Sequence, residues 1–375
     1  MSRPLSQPGL DALALEELEG SEQDSLRVLV VRLSAMGDVI HGLPAITALR
    51  AARPNWQIGW LIEQRWMELL CAHAMERMQP RSAMKPLVDW LHVSDFKDWR
   101  KELSSRETWS DMRSCLREVR AMKYDIAIDL QGAIRSSMAA RLSGAKTRIG
   151  LAQPREAPAR RLYTHPVATD AAHVVEHALA LASTAAGYRL TYHEPVFPQD
   201  DATEAWADRF CSCIGFAPLA IVNPGAGWGS KCWPTKSYGA VATALADRGM
   251  AVMINYGPNE DRLAESVRQA SNQLARPVQC SVSQLIALTR RASLFLGGDT
   301  GPMHLAAALG VPVVALFGPT RPDRSGPYAT RSVVLRSPAS VDNSSHVDNP
   351  DAGLQSISPE QVIAGADSLL KDPND

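Results

Sequence analysis

The sequence predicts an α/β protein of two doubly wound halves, each a mainly parallel sheet with helices on both faces. Three observations lead there. Strand-length apolar runs alternate with helix-length segments for most of the chain, the rhythm of βαβ units. The alternation weakens once, across the proline- and acid-rich "YHEPVFPQDDATEAW", and then restarts. And 375 residues are too many for one small core.

Taken in order, "RVLVVRL" reads as a buried strand and is followed by a helical pattern around "AITALRAAR". "QIGWLIE" then precedes the helix-like "RWMELLCAHAM", and "SCLREVRAMK", "YDIAIDLQG", "SMAARLSG" and "RIGL" continue the alternation. A Pro/Arg-rich loop leads to the helix "AAHVVEHALALASTAAG". After the linker come "LAIVNPGAG", "SYGAVATALADRG", "MAVMINYG", "NEDRLAESVRQA", "VSQLIALTRRA", "SLFLGGDTG", "HLAAALG" and "VPVVALFG". Near the end, "SPEQVIAGADSLL" has Ser358 as cap and Pro359 at the first helical position.

Composition narrows the function classes. Hydrophobic residues make up 45% and charged residues 21%, ordinary for a globular protein. A net charge of −1 argues against a nucleic-acid partner, which calls for a basic excess. The six cysteines are scattered without CxxC spacing and read as reduced thiols of a cytoplasmic protein. Residues 1–26 are acidic, with six Asp/Glu and one Arg in the first 24, and read as a solvated, flexible extension with one short helix at "LDALALEEL". No apolar run reaches bilayer-spanning length. Between Lys97 and Arg161, fifteen Lys/Arg stand against eight Asp/Glu. Solvated helix faces account for that excess, as does a cationic groove for an anionic partner.

In open parallel sheets, ligands bind beyond the carboxyl ends of strands, and the candidate motifs fall in those loops. "RLSAMGDVIHGLP" puts Asp38 at the first helix turn after a strand, as a cap or as a reactive acid, with His41 three residues on. "LFLGGDTGPMHLAAALG" offers Asp299, Thr300, Gly301 and His304 at a helix start, where free N–H groups suit a phosphate. A well-capped βα junction would look the same. Neither "GGDTGPMH" nor "GAGWGSKC" fits a dinucleotide or P-loop fingerprint. The turn-rich "NPGAGWGSKCWP" nevertheless delivers Lys231, suited to neutralising phosphate charge. Glu260 begins a helix after "INYG", where a carboxylate can accept ribose hydroxyls or simply complement the helix dipole.

Five segments, "RLSAMGDVIHGLPAITALR", "DLQGAIRSSMAARL", "AAHVVEHALALASTAAGY", "NPGAGWGSKCWP" and "GGDTGPMHLAAALGVPVVALFGPT", resemble in content and order those of glycosyltransferase family 9. They look most like its lipopolysaccharide heptosyltransferase I branch. The resemblance runs from about Arg27 to the end of the chain. It implies the GT-B architecture: an acceptor-binding Rossmann-like domain over 27–190, a nucleotide-sugar-binding one over 191–356, and a last helix, within 357–375, returning to the first domain. The two face each other across a cleft.

The resemblance further implies inverting transfer of L-glycero-D-manno-heptose from ADP-heptose to a Kdo residue of lipid A in lipopolysaccharide inner-core synthesis. Asp38 would be the catalytic base. Lys231, Thr300, Gly301 and His304 would stabilise the ADP diphosphate, Asp299 would contact donor-sugar hydroxyls, and Glu260 would hold the ribose. Lys97, Arg100 and Lys101 in "FKDWRKEL", with Gln131 and Arg135, would meet the anionic acceptor, although Asp98 departs from that basic run. No tightly bound cofactor is implied, and Mg²⁺ is compatible with the sequence but not demanded by it. The enzyme would sit peripherally on the cytoplasmic face of the inner membrane. Another nucleotide sugar or acceptor, or a nucleotide-sugar epimerase of the same architecture, are the alternatives.

Overall fold

The computed structural model describes residues 25–102, 104–342 and 349–371; the acidic extension and its expected short helix lie almost wholly outside them. The first sheet holds β1 (Arg27–Val31), β2 (Gln57–Glu63), β3 (Trp90–Ser94), β4 (Ile126–Asp129), β5 (Thr147–Leu151) and β6 (His165–Val167). All neighbours pair in parallel in the order β3-β2-β1-β4-β5-β6. β1 shows why such a strand forms: Val28 to Val31 are wholly buried, as expected of β-branched and aliphatic residues covered on both faces.

The helices of this half are α1 (Met36–Ala52), α2 (Phe96–Trp99), α3 (Arg106–Ala121), α4 (Ile134–Leu142) and α5 (Val174–Ala186). α1 and α5 pack together on one face of the sheet. On the other, α3 and α4 cover Leu29, Val31 and Ala127. The His173 ring caps α5 by accepting from the Val175 N–H at 3.2 Å, and Gly187 ends it with a left-handed φ of 82°.

The second sheet repeats the plan with β7 (Leu219–Asn223), β8 (Ala251–Tyr256), β9 (Arg276–Gln279), β10 (Ala292–Gly298), β11 (Val313–Phe317) and β12 (Ser332–Arg336), ordered β12-β11-β10-β7-β8-β9. Its helices are α6 (Asp201–Cys213), α7 (Thr235–Asp247), α8 (Asp261–Ala270), α9 (Val282–Thr289), α10 (Gly301–Ala308), α11 (Pro322–Ser325), α12 (Ala352–Gln355) and α13 (Pro359–Leu370). Each sheet reverses strand order once, between β1 and β4 and between β7 and β10. These are the two crevices where doubly wound folds bind ligands.

One expectation is corrected. The last helix does not return to the first domain: α13 packs on α7, β11 and β12. Val362, Ala366 and Leu369 share a core with Val314 and Leu316, and Arg248 grips Asp367 at 2.6 and 2.8 Å. The apolar stripe of α13 matches the face of the second sheet beside it, so burial there is the shorter route. The segment after α5 carries the chain between the sheets, pinned by Gln199 N–H to Ala83 O at 2.9 Å and by Asp200 to His73 at 3.2 Å.

Candidate active site

The two crevices open toward each other. In the first, β1 ends at Val31 and α1 begins at Met36, which sets Asp38 in the first turn. Its Oδ2 accepts the Ala35 N–H at 3.1 Å, a capping bond, while its Oδ1 lies 2.7 Å from Arg32 Nη2. Arg32 is anchored in turn on the Leu130 carbonyl after β4. The Asp38 side chain keeps 39% of its surface exposed. It is therefore a cap and also an accessible carboxylate.

Asp38, Arg32, Gln131, Arg155, Thr320 and Arg324 all line one interdomain cavity of about 610 Å³, large enough for a sugar nucleotide's reacting end. Gln131 is buried and accepts the Leu33 N–H at 2.9 Å, tying the β4 loop to the β1 loop.

In the second crevice, Asp299 follows β10 and is buried between two partners. Lys231 Nζ lies 2.5 Å from Oδ2, and His304 Nε2 lies 3.1 Å from Oδ1. Burial alone would raise the Asp299 carboxyl; hydrogen bonding and charge from His304, then from Lys231, outweigh it and hold the group well below the usual carboxylate range. Lys231 also sits over the Trp228 ring, 4.6 Å from its centroid. The lysine is thus spoken for by an internal carboxylate and is no loose surface cation.

Thr300 caps α10, and its hydroxyl meets Asn223 Nδ2 at 3.5 Å. Gly301 opens the helix so tightly against α1 that a Cβ there would fall 2.7 Å from Met36. Glu260 starts α8, and its Oε2 accepts the Gly257 N–H at 2.7 Å while the carboxylate covers Gly225.

His304 joins the two crevices. Its ring stacks edge-on with His41 of α1, centroids 4.3 Å apart, and His41 meets His173 at 5.6 Å. Burial, then the charges of His304, His173 and Arg32, push His41 well below its ordinary value. Buried polar atoms of this region that have no protein hydrogen-bond partner among the described residues include Arg32 Nε, His41 Nδ1, His304 Nδ1, Ser230 Oγ and Thr320 Oγ1. Such atoms usually find a ligand or water.

The remaining predicted acceptor residues lie elsewhere. Arg135 bonds Ser34 Oγ at 3.2 Å but lines an apolar groove beside α3. Lys97, Arg100 and Lys101 are exposed on and just after α2, none lining the cleft cavity, and Lys101 is paired with Asp98 at 2.5 Å. Sequence reading passed over Arg32, Arg155, Thr320 and Arg324. Arg32 stood inside the motif quoted for Asp38, and Arg155 lay in the Pro/Arg-rich loop. Thr320 ends the quoted segment "GGDTGPMHLAAALGVPVVALFGPT", with Arg324 just beyond it. No group of three metal-type side chains occurs among the described residues.

Two Rossmann-like domains facing each other across a cleft have the GT-B architecture. Residues 112–351 match the family model described as glycosyltransferase family 9 (heptosyltransferase), and the chain belongs to that family. It is 31% identical to lipopolysaccharide heptosyltransferase 1 of Pseudomonas aeruginosa over 83% of this chain and 84% of that one. The Escherichia coli K12 protein of the same name is 27% identical over 84% of this chain and 94% of its own. Among solved structures, a family 9 glycosyltransferase of Veillonella parvula superposes with a TM-score of 0.76 at 24% identity, covering 92% of this chain and 97% of its own. An E. coli heptosyltransferase solved with ADP gives 0.71 at 24% identity, covering 92% of this chain and 100% of its own.

Proposed function

We propose that this glycosyltransferase moves L-glycero-D-manno-heptose from ADP-heptose to a Kdo residue of lipid A, with inversion, in lipopolysaccharide inner-core synthesis. The relatives named lipopolysaccharide heptosyltransferase 1 support the reading. The observation that carries it is the meeting of α1 and α10. Asp38 faces the shared cavity within one turn of the place where Gly37 touches His304.

In this reading Asp38 removes the proton from the acceptor hydroxyl as that oxygen attacks the anomeric carbon. A positioned base contributes about 10²–10⁴ in rate. Arg32 orients the carboxylate. The bond to the diphosphate breaks with the electron pair leaving on ADP. Thr300, the N–H groups around Gly301, His304 and Lys231 stabilise that charge, Glu260 holds the ribose, and Asp299 orders Lys231 and His304 and offers oxygen to the sugar. Gln131 and the cavity arginines Arg155 and Arg324 meet the anionic acceptor. The enzyme works peripherally at the inner membrane's cytoplasmic face, and Mg²⁺ is not required by these residues.

Asp38→Asn keeps the volume and the capping oxygen but removes the base. It should fold and bind ADP as the parent does, yet transfer heptose to Kdo-lipid A at least 10²-fold more slowly. Turnover equal to the parent's overturns the base assignment. A panel of nucleotide sugars in which ADP-heptose neither binds nor reacts overturns the donor.

A further inference from the structure

On the side of the first domain away from α1, α3 and α4 wall an apolar groove of about 390 Å³. Trp109, Met112 and Leu116 of α3 face Met138 and Leu142 of α4 across it. Trp109 is 46% exposed, Ile134 45% and Leu142 41%. Large apolar side chains usually cluster on a surface where something covers them.

The charge pattern identifies the cover. At helical spacing, Arg106, Arg113, Arg117 and Arg120 follow one flank of the α3 apolar stripe, while Glu107, Asp111 and Glu118 follow the other. All four arginines are exposed and hold no ion pair among the described residues. Glu118, by contrast, is engaged by Arg77 and His92. Arg141 adds an exposed cation beside the α4 stripe, and Lys97 and Arg100 stand at the α2 end of the groove. An apolar stripe with a one-sided cationic border is the pattern that lies in a lipid interface.

We infer that the α3–α4 face docks on an anionic phospholipid bilayer, its arginines at the headgroups and Trp109, Met138 and Leu142 at the acyl boundary. The inference rests on the reading that the acceptor is carried by a lipid. It also explains the placement of Arg135, which lines the groove and bonds Ser34, four residues before Asp38. A membrane-borne acceptor would then reach the cleft from the docked edge.

The test is flotation of the full chain with vesicles of phosphatidylglycerol and phosphatidylethanolamine, against phosphatidylcholine vesicles. The parent should float with the anionic vesicles and be released by high salt. Arg113→Glu with Arg117→Glu, and separately Met138→Glu with Leu142→Glu, should each lower the bound fraction roughly tenfold or more. Melting temperatures check that both variants fold. Both should still turn over ADP-heptose with a fully deacylated, water-soluble Kdo acceptor. Flotation of either folded variant equal to the parent's overturns the docking face, as does parent binding indifferent to vesicle charge, or parent binding to an acidic protein but not to vesicles. Parent flotation without transfer to any Kdo acceptor overturns the proposed reaction and leaves the docking face standing.

Discussion

Gly37 lies so close to His304 that a Cβ on the glycine would stand 2.3 Å from the His304 Cδ2 atom. The two residues belong to helix starts on opposite domains. The contact is reciprocal, because Gly301 on α10 makes equal room for Met36 on α1. Two glycines thus let the two helix starts close on each other, each taking up one side chain, His304 or Met36, from the opposite domain.

Gly37→Ala should therefore disturb registry more than stability. His304 is held by Asp299 and cannot swing away freely. We expect turnover to fall on the order of 10²-fold, the penalty for about 1 Å of misplacement, with a much smaller change in ADP affinity by calorimetry. Unimpaired turnover would show that the domains do not react in this arrangement.

Arg32 should be a positioning residue. Its guanidinium spans the Leu130 carbonyl and Asp38 at once. Arg32→Ala should lower kcat roughly tenfold to a hundredfold with little effect on KM for the nucleotide sugar, and Arg32→Lys should recover only part, since an ammonium lacks the planar fork. Equal kcat in all three proteins would dissociate Arg32 from Asp38.

Removing Lys231 leaves a buried carboxylate without its closest cation. Lys231→Ala should cost about 3–5 kcal/mol in urea unfolding and weaken ADP binding. Adding Asp299→Asn should restore part of the stability but not the ADP affinity. Additive losses across the double-mutant cycle would mean the pair is not coupled.

The histidine stack makes stability sensitive to mild acid. His41 and His173 are both held below their ordinary value, first by burial. Around His41 the charged neighbours are His304, His173, Arg32 and Asp299. The unfolded chain takes up these protons near pH 6.5 and the folded one resists. The stabilisation is thus complete above that pH and declines as pH falls. Unfolding free energy should therefore fall as pH drops from 7 to 5.5. His41→Gln should make the slope of unfolding free energy against pH shallower over that range; an unchanged slope would refute its part.

The sequence made the centre of each sheet legible and hid the edges. Strands such as "RVLVV" and "VVALF" are buried on both faces, so hydrophobicity alone marks them. The four strands it did not mark, β3, β6, β9 and β12, are the two edges of each sheet. β6 and β9 each contain a proline, and β9 and β12 are only half covered. At the site, Asp38, Thr300 and His304 were visible because a strand-end motif frames them. Arg155 and Arg324 were not, since their place in the cavity depends on how two separate domains meet. The partner of Lys231 was equally hidden, 68 residues away.

With α13 on the second sheet, the described chain passes between the domains once, in the segment from Gly187 to Asp200. A returning helix would have strapped the halves together at two points. Among the described residues one covalent crossing remains, and noncovalent contacts do the rest, among them Glu68 to the Ser283 N–H at 2.7 Å and His173 to the Gly326 carbonyl at 3.1 Å. Opening the cleft is then an interfacial event. Its cost is set by surfaces that substrate itself can reinforce, with no second tether to stretch among the described residues.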